Sequence, residues 1–168
     1  DGYLNWVTDS IDKALEWIDK GLCEKKPTSV CIVANAATVA TELLKRKRIP
    51  DIVTDQTPAH DLMEYIPEGK SYSWNLWYRD KNPEEYLELS KATLIKHARA
   101  LMALQKKGAI VFDYGNQLRE QAERYGLSMR KKDKNFVYPG FIETYIRPLF
   151  CEGIGSFRWT VLSGLKKD

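Results

Sequence analysis

At 168 residues, 43% of them apolar and 29% charged, the chain is long enough to bury one core. Its net charge of +3 is too small to imply a charged partner. The basic clusters Lys45 to Arg48 and Arg130 to Lys134 are short and read as solvated surface, which argues against nucleic acid.

No apolar run approaches the ~18 residues of a membrane span, so no membrane partner is expected. Asp1 to Thr8 lacks the basic start and apolar stretch of a secretory signal. Three cysteines, Cys23, Cys31 and Cys151, form no C-x-x-C and leave an odd count. Neither a disulfide framework nor a zinc site is expected, and a reducing, cytoplasmic setting is the default. The chain starts Asp-Gly-Tyr-Leu rather than with methionine, as expected of a piece cut from something longer.

The first predicted element is an amphipathic helix over residues 9 to 23, with Ile11, Ala14, Leu15, Ile18 and Leu22 on one face. Pro27 and Ser29 end it. Val30 to Ala34 reads as a strand, and its unbroken apolar run predicts burial on both faces of a parallel sheet. Asn35 is a good N-cap for a second helix running to about Arg46. Two readings of Asn35 stand: a cap alone, or a cap that also meets a ligand at the helix N-terminus.

Ile52 and Val53 form the next strand, which opens onto Thr54, Asp55, Gln56, Thr57 and His60. The chain then reads as irregular through Pro67, Gly69 and a Ser/Tyr/Trp-rich tract, Ser71 to Tyr78. Asn82-Pro83 predicts the start of a long helix and Gly108 its end. Ala109 to Phe112 is a third strand, ending in Asp113-Tyr114-Gly115-Asn116. A helix follows to about Tyr125, closed by Gly126.

This alternation predicts an α/β fold: a Rossmann-like three-layer domain with a parallel sheet, followed by an irregular and helical tail. Ligands of such sheets bind beyond the carboxyl ends of the strands. The three strand ends should therefore be adjacent and line one crevice, with Asn35, Gln56, Thr57, His60, Asp113 and Tyr114 as its residues. Amides, a hydroxyl and an aromatic ring suit a nucleotide or similar polar ligand.

Residue pattern does not give the reaction. There is no G-x-G-x-x-G: in Gly153-Ile154-Gly155 the third glycine position is Arg158. Walker, H-E-x-x-H and G-x-S-x-G motifs are also missing. Cys151 sits in an apolar segment and reads as core, and His97 as a structural or exposed helix residue.

Longer motifs carry more. Val53 to Asp61, V-T-D-Q-T-P-A-H-D, closely resembles the V-T-D-Q-T-S-A-H-D segment of urocanase (urocanate hydratase). Phe112 to Asn116, F-D-Y-G-N, is similar to that family's F-D-Y-G-N. Pro139 to Arg158 resembles its P-G-F-x-x-x-Y-I-R-P-L-F-C-x-G-x-G-P-F-R, and Trp159 to Gly164 its W-x-x-L-S-G. The matches are in order and span essentially the whole chain.

The resemblance implies a lyase that hydrates urocanate in histidine breakdown, with tightly bound NAD+ as electrophile rather than hydride carrier. It implies NAD contacts at Asn35, Ala36, Gln56, Thr57, Pro58, Ala59, His60, Tyr65, Ile66 and Tyr114. Arg158 is expected to meet the urocanate carboxylate, with an internal ion pair as the competing role. Pro58 stands where the family has serine, and Ala34 where a glycine is usual.

The family's glycine-rich phosphate loop is expected before residue 1. Its F-Q-G-L-P-x-R-I-C-W signature, with the active-site cysteine, is expected after residue 168, so Cys151 does not inherit that role and no catalytic residue is expected here. On this reading residues 1–140 are the second half of the NAD-binding domain, and 141–168 return toward a core domain. The expected partners are urocanate, the rest of the urocanase chain and, when intact, a second copy in a homodimer. Two alternatives remain: a non-catalytic nucleotide-binding or structural fragment unable to hold NAD alone, and a hydride-transferring dehydrogenase domain, which the missing glycine fingerprint disfavours.

Overall fold

The structure, a computed structural model, describes residues 2–155, 163 and 165. Arg158, the expected substrate contact, lies outside the described residues. The order is β1 (Trp6–Thr8), α1 (Ile11–Glu24), β2 (Val30–Ile32), α2 (Ala36–Lys45), β3 (Ile52–Asp55), α3 (Tyr72–Lys81), α4 (Pro83–Lys106), β4 (Ile110–Asp113) and α5 (Leu118–Arg124). A π-helical turn (Ile142–Ile146) and α6 (Arg147–Cys151) follow.

The chain is mixed α/β with parallel strands, as the alternation predicts, but the pairing differs from three adjacent strands. β1 pairs with β2, and β3 pairs with β4, each in parallel. Among the described residues no ladder joins β2 to β3. The crevice therefore opens between two ribbons rather than along one rim. β2 stops at Ile32 because the Ala34 N–H turns back onto the Ile32 carbonyl at 3.1 Å, and this bend leaves Val33 64% exposed.

The core lies on one side of β3 and β4. Leu94, Ala98, Leu101 and Leu104 run along α4 at helical spacing and meet Ala40 of α2, Val111 of β4, and Leu118 and Ala122 of α5. Met129 and Tyr138, from the segment after α5, close it. Each fully buried leucine stabilises the fold by about 1.5–3 kcal/mol.

The opposite face is open, with Ile52 59% and Ile110 54% exposed, and the Val30–Ala34 run, expected to be buried on both faces, is only partly buried. Phe112 alone is partly covered there, by Phe141 at 5.7 Å and Tyr145 at 5.2 Å between ring centroids.

Two helices depart from expectation. The Ser71 to Tyr78 tract is helical, with the Ser71 hydroxyl accepting the Trp74 N–H as its cap. Trp74 stacks on Tyr78 at 4.4 Å, so aromatic packing replaces an apolar stripe. Asn82 precedes α4 but makes no side-chain cap bond, leaving Pro83 at the first helical position to set the start.

Candidate functional site

A cleft of about 490 Å³ opens where β2 and β3 end. That size suits a small ligand or half a dinucleotide. One wall is the start of α2, with Val33, Ala34, Asn35 and Ala36; the other is the loop from Tyr65 to Tyr72. Thr57 and Pro58 also line it.

Asn35 fixes the two walls against each other. Its Oδ1 accepts the N–H groups of Ala37 at 3.0 Å and Thr38 at 3.3 Å, capping α2. Its Nδ2 donates to the Ile66 carbonyl at 2.8 Å, holding the far wall. The carboxamide is thus committed to the protein at both ends, and a ligand meets the rim it builds. The same loop is anchored again by Glu68, which accepts from Thr38 Oγ1 at 3.0 Å and from Lys96 Nζ at 2.6 and 2.7 Å. Beneath it the buried Asn75 donates to the Pro67 carbonyl at 3.1 Å.

Tyr65 forms the deep end of the wall. Its carbonyl accepts from Ser90 Oγ at 2.9 Å, and its hydroxyl lies 2.9 Å from His97 Nδ1, both on α4. Burial, reinforced by the nearby Asp55 charge, pushes the Tyr65 hydroxyl pKa well up, so it stays protonated. Burial also pushes the His97 imidazole down, against the opposing pull of Asp55, so it is neutral at neutral pH.

The Thr57 turn is set by Asp55, whose Oδ1 accepts the Thr57 N–H at 3.1 Å and whose Oδ2 accepts the Thr57 hydroxyl at 2.8 Å. Asn116 ties this turn to the end of β4, donating to Asp55 Oδ2 and, at 2.9 Å, to the Thr57 carbonyl. Asp113 is not a crevice residue. It is buried in an ion pair with Arg119, whose Nε lies 3.2 Å from Oδ2. Arg119 Nη1 also donates to the Tyr138 carbonyl at 3.0 Å.

Of the residues expected at the cofactor, the structure brings Asn35, Ala36, Thr57, Pro58, Tyr65 and Ile66 into this cleft. It does not bring Gln56, Ala59, His60 or Tyr114 there. Ala59 is fully buried in the core, Gln56 and His60 are exposed outside the cleft, and Tyr114 leans on Phe141 at 4.8 Å. The residue pattern missed Lys70, Ser71 and Tyr72, which line the mouth. The cap signal at Ser71, a serine three residues before Trp74, was the available clue.

The family model for the urocanase Rossmann-like domain matches residues 1–145. The chain belongs to the urocanase family. The urocanase-like stretch 53–61 thus supplies most of β3 and the Thr57 turn, and F-D-Y-G-N supplies Asn116, which braces that turn, and Asp113, which accepts the Asn116 N–H at 3.3 Å. A Rossmann-like domain is consistent with a nucleotide in this cleft.

Val33, Pro58, Ile66 and Tyr72 give the cleft apolar surface suited to a flat ring, and Thr57 a hydroxyl oxygen suited to a sugar. No helix among the described residues is long and apolar enough to cross a membrane.

Proposed function

We propose that this chain is the NAD-binding portion of a urocanate hydratase, a lyase of histidine degradation. The observation that carries the reading is the cleft itself. Six residues at positions matching the family's NAD contacts line one cavity beyond the ends of β2 and β3, although they come from three separate stretches of chain.

When bound, NAD+ supplies an electrophilic nicotinamide that acts as an electron sink for addition of water to urocanate. The residues of this chain bind and orient. Asn35 holds the two walls at a fixed separation through α2 and the Ile66 carbonyl. Thr57 is turned by Asp55 so that its stretch faces the cleft. Val33, Pro58 and Ile66 give the cleft an apolar side for a bound ring to cover. Arg158 is assigned to the urocanate carboxylate, for which a two-pronged donor is suited.

The reading extends to partners. The remaining part of a urocanase chain, and a second copy in the intact enzyme, would cover the open strand face and the exposed Tyr145, Leu149 and Phe150. The setting proposed is the cytoplasm.

A second reading is a structural or weakly binding fragment that does not hold NAD alone. The geometry of Asn35 favours it, because the donors that would greet a phosphate at the start of α2 already bind the Asn35 side chain. Native mass spectrometry of the purified chain, followed by analysis of released ligand, separates the two. Recovery of NAD supports the first reading; a bare chain that also fails to take up added NAD+ supports the second.

A further inference from the structure

His97 lies 32 residues from Tyr65 in sequence, and no family motif quoted above includes it. Both side chains are buried, at 3% exposure each. Tyr65 is held along α4 at two points, its carbonyl on Ser90 and its hydroxyl on His97. These points are seven residues apart, two turns of one helix face. The outer side of Tyr65 is cleft wall. The residue is therefore held at its backbone carbonyl and, at the far end of its ring, at the hydroxyl.

We propose that His97 is a positioning residue for the cleft: its Nδ1 accepts the Tyr65 hydroxyl proton and so fixes the ring as the surface against which a flat ring of the ligand lies. The inference rests on the nucleotide reading of the cleft and names the group that sets its depth.

A buried neutral imidazole has one N–H and one bare nitrogen. The Thr57 hydroxyl gives its proton to Asp55, which already accepts from Asn116. The Tyr65 hydroxyl has one proton to give and two neighbours able to accept it, His97 Nδ1 at 2.9 Å and the Thr57 hydroxyl oxygen. We assign the Nε2–H tautomer, which turns the hydroxyl proton inward and leaves only the ring toward the ligand.

The test uses the whole 168-residue chain with His97→Leu, His97→Asn, Tyr65→Phe and the double variant Tyr65→Phe/His97→Leu. Asn keeps an acceptor near the place of Nδ1, whereas Leu does not. NAD+ affinity is measured by titration on the folded protein, with thermal unfolding measured alongside. His97→Leu is expected to weaken NAD+ by roughly five- to ten-fold, His97→Asn to restore most of it, and the double variant to bind like Tyr65→Phe alone. A merely structural histidine would lower the unfolding temperature and leave the dissociation constant of the folded protein unchanged, and that result overturns the proposal. So do losses for Tyr65→Phe and His97→Leu that simply add.

Two NMR readouts need no ligand: the nitrogen shifts of His97 and the flip rate of the Tyr65 ring. A bare Nδ1, and faster flipping in His97→Leu, are expected. A protonated Nδ1 or an unchanged flip rate overturns the proposal. If wild-type chain takes no NAD+ while the flip rate still rises, the hold on Tyr65 stands and the nucleotide reading of the cleft is what fails.

Discussion

Asp55 and Asp113 stand opposite each other at the matched ends of β3 and β4, both buried, and only Asp113 is paired with a cation. Asp113 faces Arg119, while Asp55 is held by neutral donors from Thr57 and Asn116. One carboxylate builds the frame and the other shapes the cleft turn. Replacing Asp113 with Ala should leave a guanidinium whose side chain is only 7% exposed with just the longer contacts to Glu120 at 3.6 Å and Glu143 at 4.0 Å. The expected loss is about 3–5 kcal/mol of stability, read from the urea midpoint. A loss within the range of a surface substitution would mean the pair is not buried in solution.

Asn35 combines two bonds that one substitution separates. Asn35→Asp keeps an oxygen for the Ala37 and Thr38 N–H groups but replaces the donor that meets the Ile66 carbonyl. Helix α2 should stay protected from amide exchange while the loop from Ile66 to Lys70 exchanges faster. Asn35→Ala should lose both, with the cap worth about 0.5–2 kcal/mol. Equal loop protection in wild type and Asn35→Asp would show that the Ile66 bond does not hold the wall.

Much of this frame was legible in the sequence. Pro83 and Gly108 bracket α4 correctly, and Asn35 caps α2 as its position before an alanine-rich stripe suggests. Three-residue β1 was not legible: its ladder to Val30–Ile32 depends on a partner across a helix. Helix α3 was missed because its order comes from Trp74, Trp77 and Tyr78 packing on each other, not from a periodic apolar face. The family motif named Thr57 and Tyr65, but His97 enters the site only through the tertiary fold, from a helix on which the sequence leaves it either structural or exposed. Gln56 and His60 share that motif yet are exposed and do not line the cleft, whereas Thr57 is held there by Asp55 and Asn116.

His97 also makes a pH prediction. Burial holds its folded-state pKa below the ordinary value of 6.5, so the unfolded chain takes up the proton first as pH falls. The stability tied to neutral His97 is complete above about pH 6.5 and is lost as pH falls from there toward the folded-state pKa. Within that window the slope approaches about 1.4 kcal/mol per pH unit. Urea midpoints measured between about pH 7.5 and pH 5 should fall in wild type and fall less in His97→Asn. Parallel curves would contradict the burial of a neutral imidazole.

These 168 residues alone are predicted not to hydrate urocanate, since the family's cysteine signature F-Q-G-L-P-x-R-I-C-W does not occur in them. The measurement is loss of urocanate absorbance with purified chain and NAD+. Turnover like that of an intact urocanase would show that the cysteine-bearing segment is dispensable.

The central claim is that the cleft between α2 and the loop from Tyr65 to Tyr72 takes NAD+. Its most direct test is a titration of isotopically labelled chain with NAD+ up to millimolar concentration, followed by amide chemical shifts, which detects weak binding as readily as strong. The account predicts concerted, saturable shifts at Ala36, Thr57, Ile66 and Ser71, and none at the groove between Trp6, Trp17 and Thr28. Shifts confined to that groove, or no saturable shifts at all, would contradict it.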